Sequence, residues 1–452
     1  MTAVFRATVF ALAVSCSGLA HASRTTIERV EERWHINGRI TWPGSAAEGL
    51  LPNVRMVNCV FEDDRPVGDR PAVLSRDFDP AANTAAFITR IPEYKAHGVL
   101  AFTISLQGGL PGYEGAHNSA FNADGTLRGP YMDRVRTVIE ACDAHGVVVI
   151  LSCLYQRQHG RAPTHLPRAL TGRPAIRNAV QNVARWIAEH GFTHVLLEIA
   201  NEFAHSGYER WEDGAWLRTP AAQVELIELA RTVHPRLLVS TSGMGGGTIP
   251  PEIARASDFV LIHFNNTPLD QIAERIARVR QAQPGKPIVV NEDNKVGSVG
   301  AEAAGRSISS GASWGYMGAD VNQHAPFRFE GAADDPPVYA RLAALAGLAA
   351  QAGPHESAIA VMLTEPLDGT SFLPGANVPL KATVTAPPGD PVRRVQFFAD
   401  QRLLGVRTTP PWTVTWETVP EGTHNLRIEL ESASGKKIVS PNVDIYVRRP
   451  GR

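Results

Sequence analysis

Val195-Leu196-Leu197-Glu198-Ile199-Ala200-Asn201-Glu202 is an apolar run that ends in an amide and a carboxylate. A near-continuous apolar segment of this length reads as a strand buried on both faces, the pattern of a parallel sheet covered by helices. A second run, Pro287-Ile288-Val289-Val290-Asn291-Glu292, ends the same way. Further strand–helix units separate the two. Further β-rich runs are read at about 55–61, 99–106, 147–151, 237–241, 259–264 and 312–317, which makes eight in all.

Amphipathic helices stand between these runs. Val135, Val138, Ile139 and Cys142 repeat at helical spacing, and Gly146 closes that helix as a C-terminal cap. Ile176, Val180, Val183 and Ile187 give another, ended by Gly191. Thr219-Pro220 reads as an N-cap and first turn for a helix carrying Val224, Ile227 and Val233. Leu269, Ile272, Ile276 and Val279 give the next, and 339–348 the last. Alternating strand and helix with polar residues at most strand ends predicts an α/β fold, a (β/α)8 barrel over 23–352. An open doubly wound sheet would confine polar ends to a switch point.

Composition bounds what surrounds this core. Lysine plus arginine (44) nearly balances aspartate plus glutamate (45), so no strong field favours nucleic acid or an anionic membrane. The start, Met1-Thr2-Ala3-Val4-Phe5-Arg6, leads into a short apolar stretch and then Ala20-His21-Ala22 before Ser23. This is the grammar of a secretory leader, 1–22, cleaved after Ala22, so export to the periplasm or medium is expected. Cys16 offers a minor alternative, acylation as a lipoprotein. Cys59, Cys142 and Cys153 form no metal signature and allow at most one disulfide. A monomer is expected, with no membrane contact after cleavage.

Composition shifts at Ala352-Gly353-Pro354-His355-Glu356-Ser357, so 353–357 reads as a linker. Beyond it, over 358–452, short alternating strands at 378–385, 392–398, 412–417, 424–430 and 443–447 predict a small β-sandwich. It resembles the immunoglobulin-like modules of secreted bacterial proteins through Glu365-Pro366-Leu367-Asp368-Gly369, Val395-Gln396-Phe397-Phe398 and Leu404-Gly405 with Pro411-Trp412. Such a module is expected to fold alone, and truncation after Ser357 to leave chemistry on small substrates nearly unchanged.

Two carboxylates at the mouth of a barrel are the equipment of glycosidic bond cleavage. One, Glu202, must hold a proton near working pH, and a neighbouring charge such as Glu292 helps it do so. The barrel resembles the retaining glycoside hydrolases of clan A, including glycoside hydrolase family 5. In those enzymes the acid/base is the Glu of an Asn-Glu pair after strand four, and the nucleophile a Glu after strand seven. The resemblance implies Asn201 and Glu202 for the first and Glu292 for the second. It also implies that His263 is the histidine after strand six and Trp314 the strand-eight tryptophan that floors the sugar site. Family 5 usually has an arginine at strand two, a histidine after strand three and a tyrosine two places after the strand-six histidine. Here those regions hold Thr103-Ile104-Ser105, Ser152-Cys153-Leu154-Tyr155 and Asn265, so the chain reads as a relative outside the core family.

Gln107, Tyr155, Asn265 and His324 join the expected sugar contacts, as do Tyr113, Gln156 and Arg157. Glu198 reads as a structural carboxylate paired with an arginine such as Arg55, since a buried charge needs a partner. No cofactor and no metal are expected. A metal-dependent barrel needs clustered ligands that Asn58-Cys59-Val60-Phe61-Glu62 does not supply, and Gly243-Met244-Gly245-Gly246-Gly247 lacks dinucleotide spacing. The expected partner is an oligo- or polysaccharide. The rival functions are a catalytically lapsed glycan-binding protein and a transglycosylase sharing the first step.

Overall fold

The computed structural model describes residues 24–66, 68, 70, 74, 77–108, 117–156, 169–348, 359–366, 370–386, 389–440 and 442–449. The expected leader, the linker 353–357, Tyr113 and Arg157 lie outside the described residues.

Parallel strands form the centre of the larger part. A six-stranded ladder runs Gly315–Tyr316, Asn53–Arg55, Ala101–Ser105, Val148–Leu154, Val195–Ala200 and Leu238–Ser240, in that spatial order. Val260–His263 and Ile288–Glu292 form a parallel pair. Single parallel bridges, Ser242 with Leu261 and Val289 with Ser313, join that pair to the two edges of the ladder. Each of these strands therefore has a parallel neighbour on both sides.

The alternation of side chains splits the core into two layers. Val149, Leu151, Leu197, Ile199, Ile262 and Val290 pack outward into one apolar cluster with the helices Gly129–Ala144, Gly172–Glu189 and Pro220–Val233. Val148, Ile150, Leu196, Leu261 and Val289 belong to a second cluster that also contains Trp34, Leu51 and Phe259. Trp34 comes from an antiparallel ribbon, Ile27–Val30 with Arg33–Ile36, and meets Phe259 edge-on at 5.5 Å. This ribbon is not visible in the sequence pattern.

Local chemistry sets the helix ends. Gly146 and Gly191 take left-handed φ values of 64° and 65° just past two helices, as their position predicts. Thr219 accepts a hydrogen bond from the Ala222 amide at 3.2 Å. The first strand departs from expectation. Regular strand covers only Asn53–Arg55, and the apolar stretch after it winds into a 3-10 turn, Val57–Val60, in which all four residues are buried. The last helix of this part is Pro336–Leu345, begun earlier than its apolar spacing suggests because the Asp335 side chain caps the Val338 amide.

The C-terminal part has its own apolar cluster, including Val361, Leu380, Val395, Phe397, Leu426, Ile428, Val443 and Ile445. Its strands form two sheets of antiparallel ladders, with one parallel pairing between Ser371–Phe372 and Val443–Val447. Val378–Thr385 and Val443–Val447 have the expected bounds. Cys59, Cys142 and Cys153 are free thiols, all buried. Among the described residues no helix is long and apolar enough to cross a membrane.

Phe102 links a central strand to the helical layer through edge-on contacts with Phe87 at 5.1 Å and Tyr94 at 5.7 Å. Phe102→Ala is expected to lower the free energy of unfolding by about 3–5 kcal/mol, measured by urea denaturation. A loss below about 1 kcal/mol would mean that this ring does not tie the two layers together.

Candidate active site

Glu202 and Glu292 sit at the C-terminal ends of the strands Val195–Ala200 and Ile288–Glu292. Both are buried. His263, at the end of Val260–His263, lies between them: its Nδ1 is 3.2 Å from Glu202 Oε1 and 3.6 Å from Glu292 Oε2. One ligand-type atom from each of the three residues lies within 4.8 Å of the others.

A register shift aims Glu292. Strict alternation from the inward-facing Val289 would turn residue 292 outward into the helical layer. Val290 pairs with Ile262 but Glu292 pairs with His263, so Asn291 is an extra residue on its strand. Such a bulge re-aims the side chain after it, and here it brings the carboxylate to the side of His263. Glu202 is aimed by strain. Its φ is 48°, a left-handed value uncommon for a residue with a side chain. The bend is held by Ser242: its hydroxyl accepts the Glu202 amide at 2.9 Å, and its carbonyl the Phe203 amide at 3.2 Å.

Arg55 organises the charges. Its Nε lies 3.0 Å from Glu292 Oε2, and its Nη2 donates to Asn201 Oδ1 at 2.8 Å. The Asn201 amide in turn donates to Gln156 Oε1 at 3.1 Å. The other Glu292 oxygen, Oε1, accepts the Asn265 amide at 2.5 Å. Asn265 thus touches the nucleophile candidate itself, a role different from the expected sugar contact. Burial pushes the Glu202 carboxyl above its ordinary range; the His263 hydrogen bond pulls it back, and the Glu292 charge adds to the rise. Burial alone would lower the His263 imidazole, but Glu292 and Glu202 outweigh it and hold it above its usual value.

Other expected site residues fall elsewhere. Trp314 is fully buried in the main apolar cluster, its indole N–H donating to Asp293 Oδ2 at 2.8 Å. It is a support behind Glu292 and has no open face for a sugar. The physical reason is parity: Ser313 points inward, its hydroxyl accepting the Leu51 amide at 2.9 Å, so the next residue points out. Asp293 is itself paired with buried Lys295 at 2.8 Å. Gln107 is buried and its Oε1 accepts the Tyr155 amide at 3.2 Å, so it holds the half-buried Tyr155 at the rim. His324 is half-buried beyond the turn Ala319–Gln323, whose Gln323 amide donates to the Arg55 carbonyl at 3.1 Å. Glu198 is fully buried, but Arg55 bonds Glu292 and Asn201 instead, and neither Glu198 carboxylate oxygen accepts a hydrogen bond. Its charge still acts on Arg55.

Arg55 and Ser242 are the contributors that sequence reasoning did not assign to the site, and Gln156, expected as a sugar contact, is instead bonded by Asn201. An arginine inside an apolar strand was the available signal for the first. Glu202, His263 and Glu292 would be the ligands of any metal ion here. Such an ion would face the Arg55 guanidinium already placed on Glu292, which suits a site that works by carboxylates.

Parts of the chain are similar to known proteins. Residues 360–428 match the bacterial Ig domain family. No curated protein sequence matches the chain. Among solved structures, the chain is similar to fibronectin(III)-like modules of Clostridium thermocellum CbhA, with 28% identity over 20% of this chain and 96% of that one, TM-score 0.19. It is also similar to a Bacteroides uniformis β-glucuronidase, with 12% identity over 94% of this chain and 48% of that one, TM-score 0.42. The endo-β-1,4-mannanase of Thermotoga petrophila gives 13% identity over 90% and 99%, TM-score 0.41. The chain thus spans about half the length of the β-glucuronidase.

Removing the cation from this buried cluster leaves Glu292 charged and without its ion pair. Arg55→Ala is expected to lower stability by roughly 3–5 kcal/mol in urea denaturation. Adding Glu292→Gln should recover part of that loss, because the two sites are coupled. Strictly additive losses would show that the pair is not an energetic unit.

Proposed function

We propose that the chain is a secreted retaining glycoside hydrolase that cleaves a β-linked oligo- or polysaccharide by double displacement. The α/β part is read as a (β/α)8 barrel over 23–352, joined through 353–357 to an immunoglobulin-like domain at 358–452, with the leader 1–22 removed. The observation that carries the reading is the approach of Glu202, His263 and Glu292 to within 4.8 Å at the ends of parallel strands. Retaining enzymes hold their two carboxyl groups about 5–5.5 Å apart, whereas inverting ones need roughly 6.5–9.5 Å to admit a water. The close approach favours the first geometry.

In this reading Glu292 attacks the anomeric carbon while Glu202 gives its proton to the leaving oxygen. Arg55 and Asn265 keep both Glu292 oxygens engaged, which favours the ionised form the nucleophile requires. Burial and the Glu292 charge favour the protonated form of Glu202. Once the glycosyl ester forms, Glu202 has already passed its proton to the leaving group and the Glu292 charge is gone, so the Glu202 carboxylate serves as base and takes a proton from the incoming water.

Two experiments test the roles. Glu292→Ala is expected to abolish turnover of every glycoside. Glu202→Ala should still glycosylate from an activated aryl glycoside, and azide should restore turnover to give a glycosyl azide of retained configuration. Inversion in the azide product of the Glu202 variant, or a retained azide from the Glu292 variant, would exchange the roles.

The pH profile supplies a second check. The alkaline limb of kcat/KM follows loss of the Glu202 proton, and the His263 hydrogen bond lowers the pH at which that happens. His263→Asn is therefore expected to move the alkaline limb to higher pH. A shift to lower pH would contradict the assignment of Glu202 as acid.

A further inference from the structure

In the strand Val443–Val447, Val443, Ile445 and Val447 point into the sandwich core, so Asp444 and Tyr446 face outward. An outward tyrosine on an isolated sandwich would meet water, but Tyr446 is only 7% exposed. What covers it is on the other half of the molecule. Its ring stands at 90° to the His205 imidazole with centroids 5.8 Å apart, and His205 is itself fully buried. Two residues on, Arg448 forms an ion pair with Glu209, while its guanidinium lies 5.4 Å from the Tyr446 ring centre. Glu209 is also bound by Arg218 of its own half. Tyr446 and Arg448 are fixed in place by their own backbone, donating to the Thr370 and Phe372 carbonyls at 2.9 Å each.

The surface they meet is the segment just after Glu202. His205 donates its amide to the Glu202 carbonyl at 2.7 Å, closing the turn that contains the left-handed residue. The His205 ring then accepts the Gly207 amide at 2.8 Å and starts the 3-10 turn Ser206–Arg210. On its inner side this segment is anchored by Tyr208, whose hydroxyl lies 3.0 Å from the Asn201 carbonyl and 3.1 Å from that of Leu154. On the side of His205 and Glu209, the strained turn is held by the sandwich.

We infer that the immunoglobulin-like domain is a working part of the catalytic half, in which Tyr446 and Arg448 brace the segment 203–211 and through it set the direction of the Glu202 carboxyl. The catalytic sense of this brace rests on the proposed role of Glu202. Tyr446 and Arg448 are positioning residues that touch no substrate. The ion pair is half-exposed and contributes little energy by itself, so its part is to fix register. The buried contact between the Tyr446 and His205 rings supplies most of the attachment. The domain is therefore not the dispensable appendage that its sequence suggests.

The test uses the full chain carrying Tyr446→Ala and Arg448→Glu, compared with wild type by two independent readouts. The first is backbone hydrogen exchange. Amides in 203–211 are expected to exchange about tenfold faster in the variant, while those of the sandwich strands Val392–Ala399 and Gly422–Ser432 keep their protection. Retained sandwich protection also shows that the variant is folded.

The second readout compares kcat/KM for an aryl glycoside with a good leaving group and for an alkyl glycoside with a poor one. A displaced acid slows only the substrate that needs its proton, so the ratio should change by about tenfold or more. Glu209→Gln, which leaves the sandwich untouched, should move both readouts the same way by a smaller amount, and Arg448→Lys alone, which keeps the charge, should leave both at their wild-type values. Unchanged exchange at 203–211 would overturn the brace. Equal losses on both substrates would overturn its catalytic sense. A wild-type chain that turns over no glycoside would overturn the glycosidase reading, while the exchange result would still decide the brace.

Discussion

A carboxylate taken out of water must find a cation or give up its charge, and the centre of this molecule is arranged around that constraint. Arg55 meets it. One guanidinium reaches Glu292 from the strand Ile288–Glu292 and Asn201 from the end of Val195–Ala200, while the Arg55 carbonyl receives Gln323. Strands far apart in sequence are thereby registered at one end by charge and hydrogen bonding. At the other end, Trp34, Phe259 and their neighbours register them by packing. The inner space of the fold is apolar at one end, and polar and charged at the other.

The polar end is crowded with acid. Glu198, Glu202 and Glu292 share the surroundings of Arg55 and His263, so three carboxyl groups face two basic ones. Among them, burial holds the Glu202 carboxyl above its ordinary range. Placement distinguishes the acids: Arg55 and Asn265 commit themselves to Glu292, and the bent backbone at Glu202 turns that carboxyl toward His263. Geometry fixed by backbone features thus gives chemically identical side chains different surroundings.

Much of this plan is legible in the residues. Strands with long apolar runs, such as Val195–Ala200, announce themselves, as do helices punctuated by Gly146, Gly191 and Thr219. The paired ends Asn201-Glu202 and Asn291-Glu292 flag the two carboxylates. What escapes is parity. The run 287–292 carries no sign that Asn291 is an extra residue, since a bulge is a property of the pairing and not of the strand alone. For the same reason Ser313-Trp314 does not reveal which of its residues faces inward. The three-residue strand Asn53–Arg55 is too short to show its period, so the apolar turn after it reads as the strand and Arg55 as the partner of the wrong acid. Contacts between the two halves, such as Tyr446 on His205, leave no local pattern at all.

The bulge at Asn291 also sets how this chain tolerates change in length. Most loops absorb an added or lost residue, because the elements they join keep their faces. A strand with period two does not, and this one depends on an odd count. Losing Asn291 would restore the regular ladder and leave the carboxyl on the inner face opposite His263, whereas keeping the full length without the bulge would turn it into the hydrocarbon layer beneath the helices. In a lineage of such proteins, loops are free to grow and shrink, while between Val289 and Glu292 a change of one residue must come together with loss of the bulge.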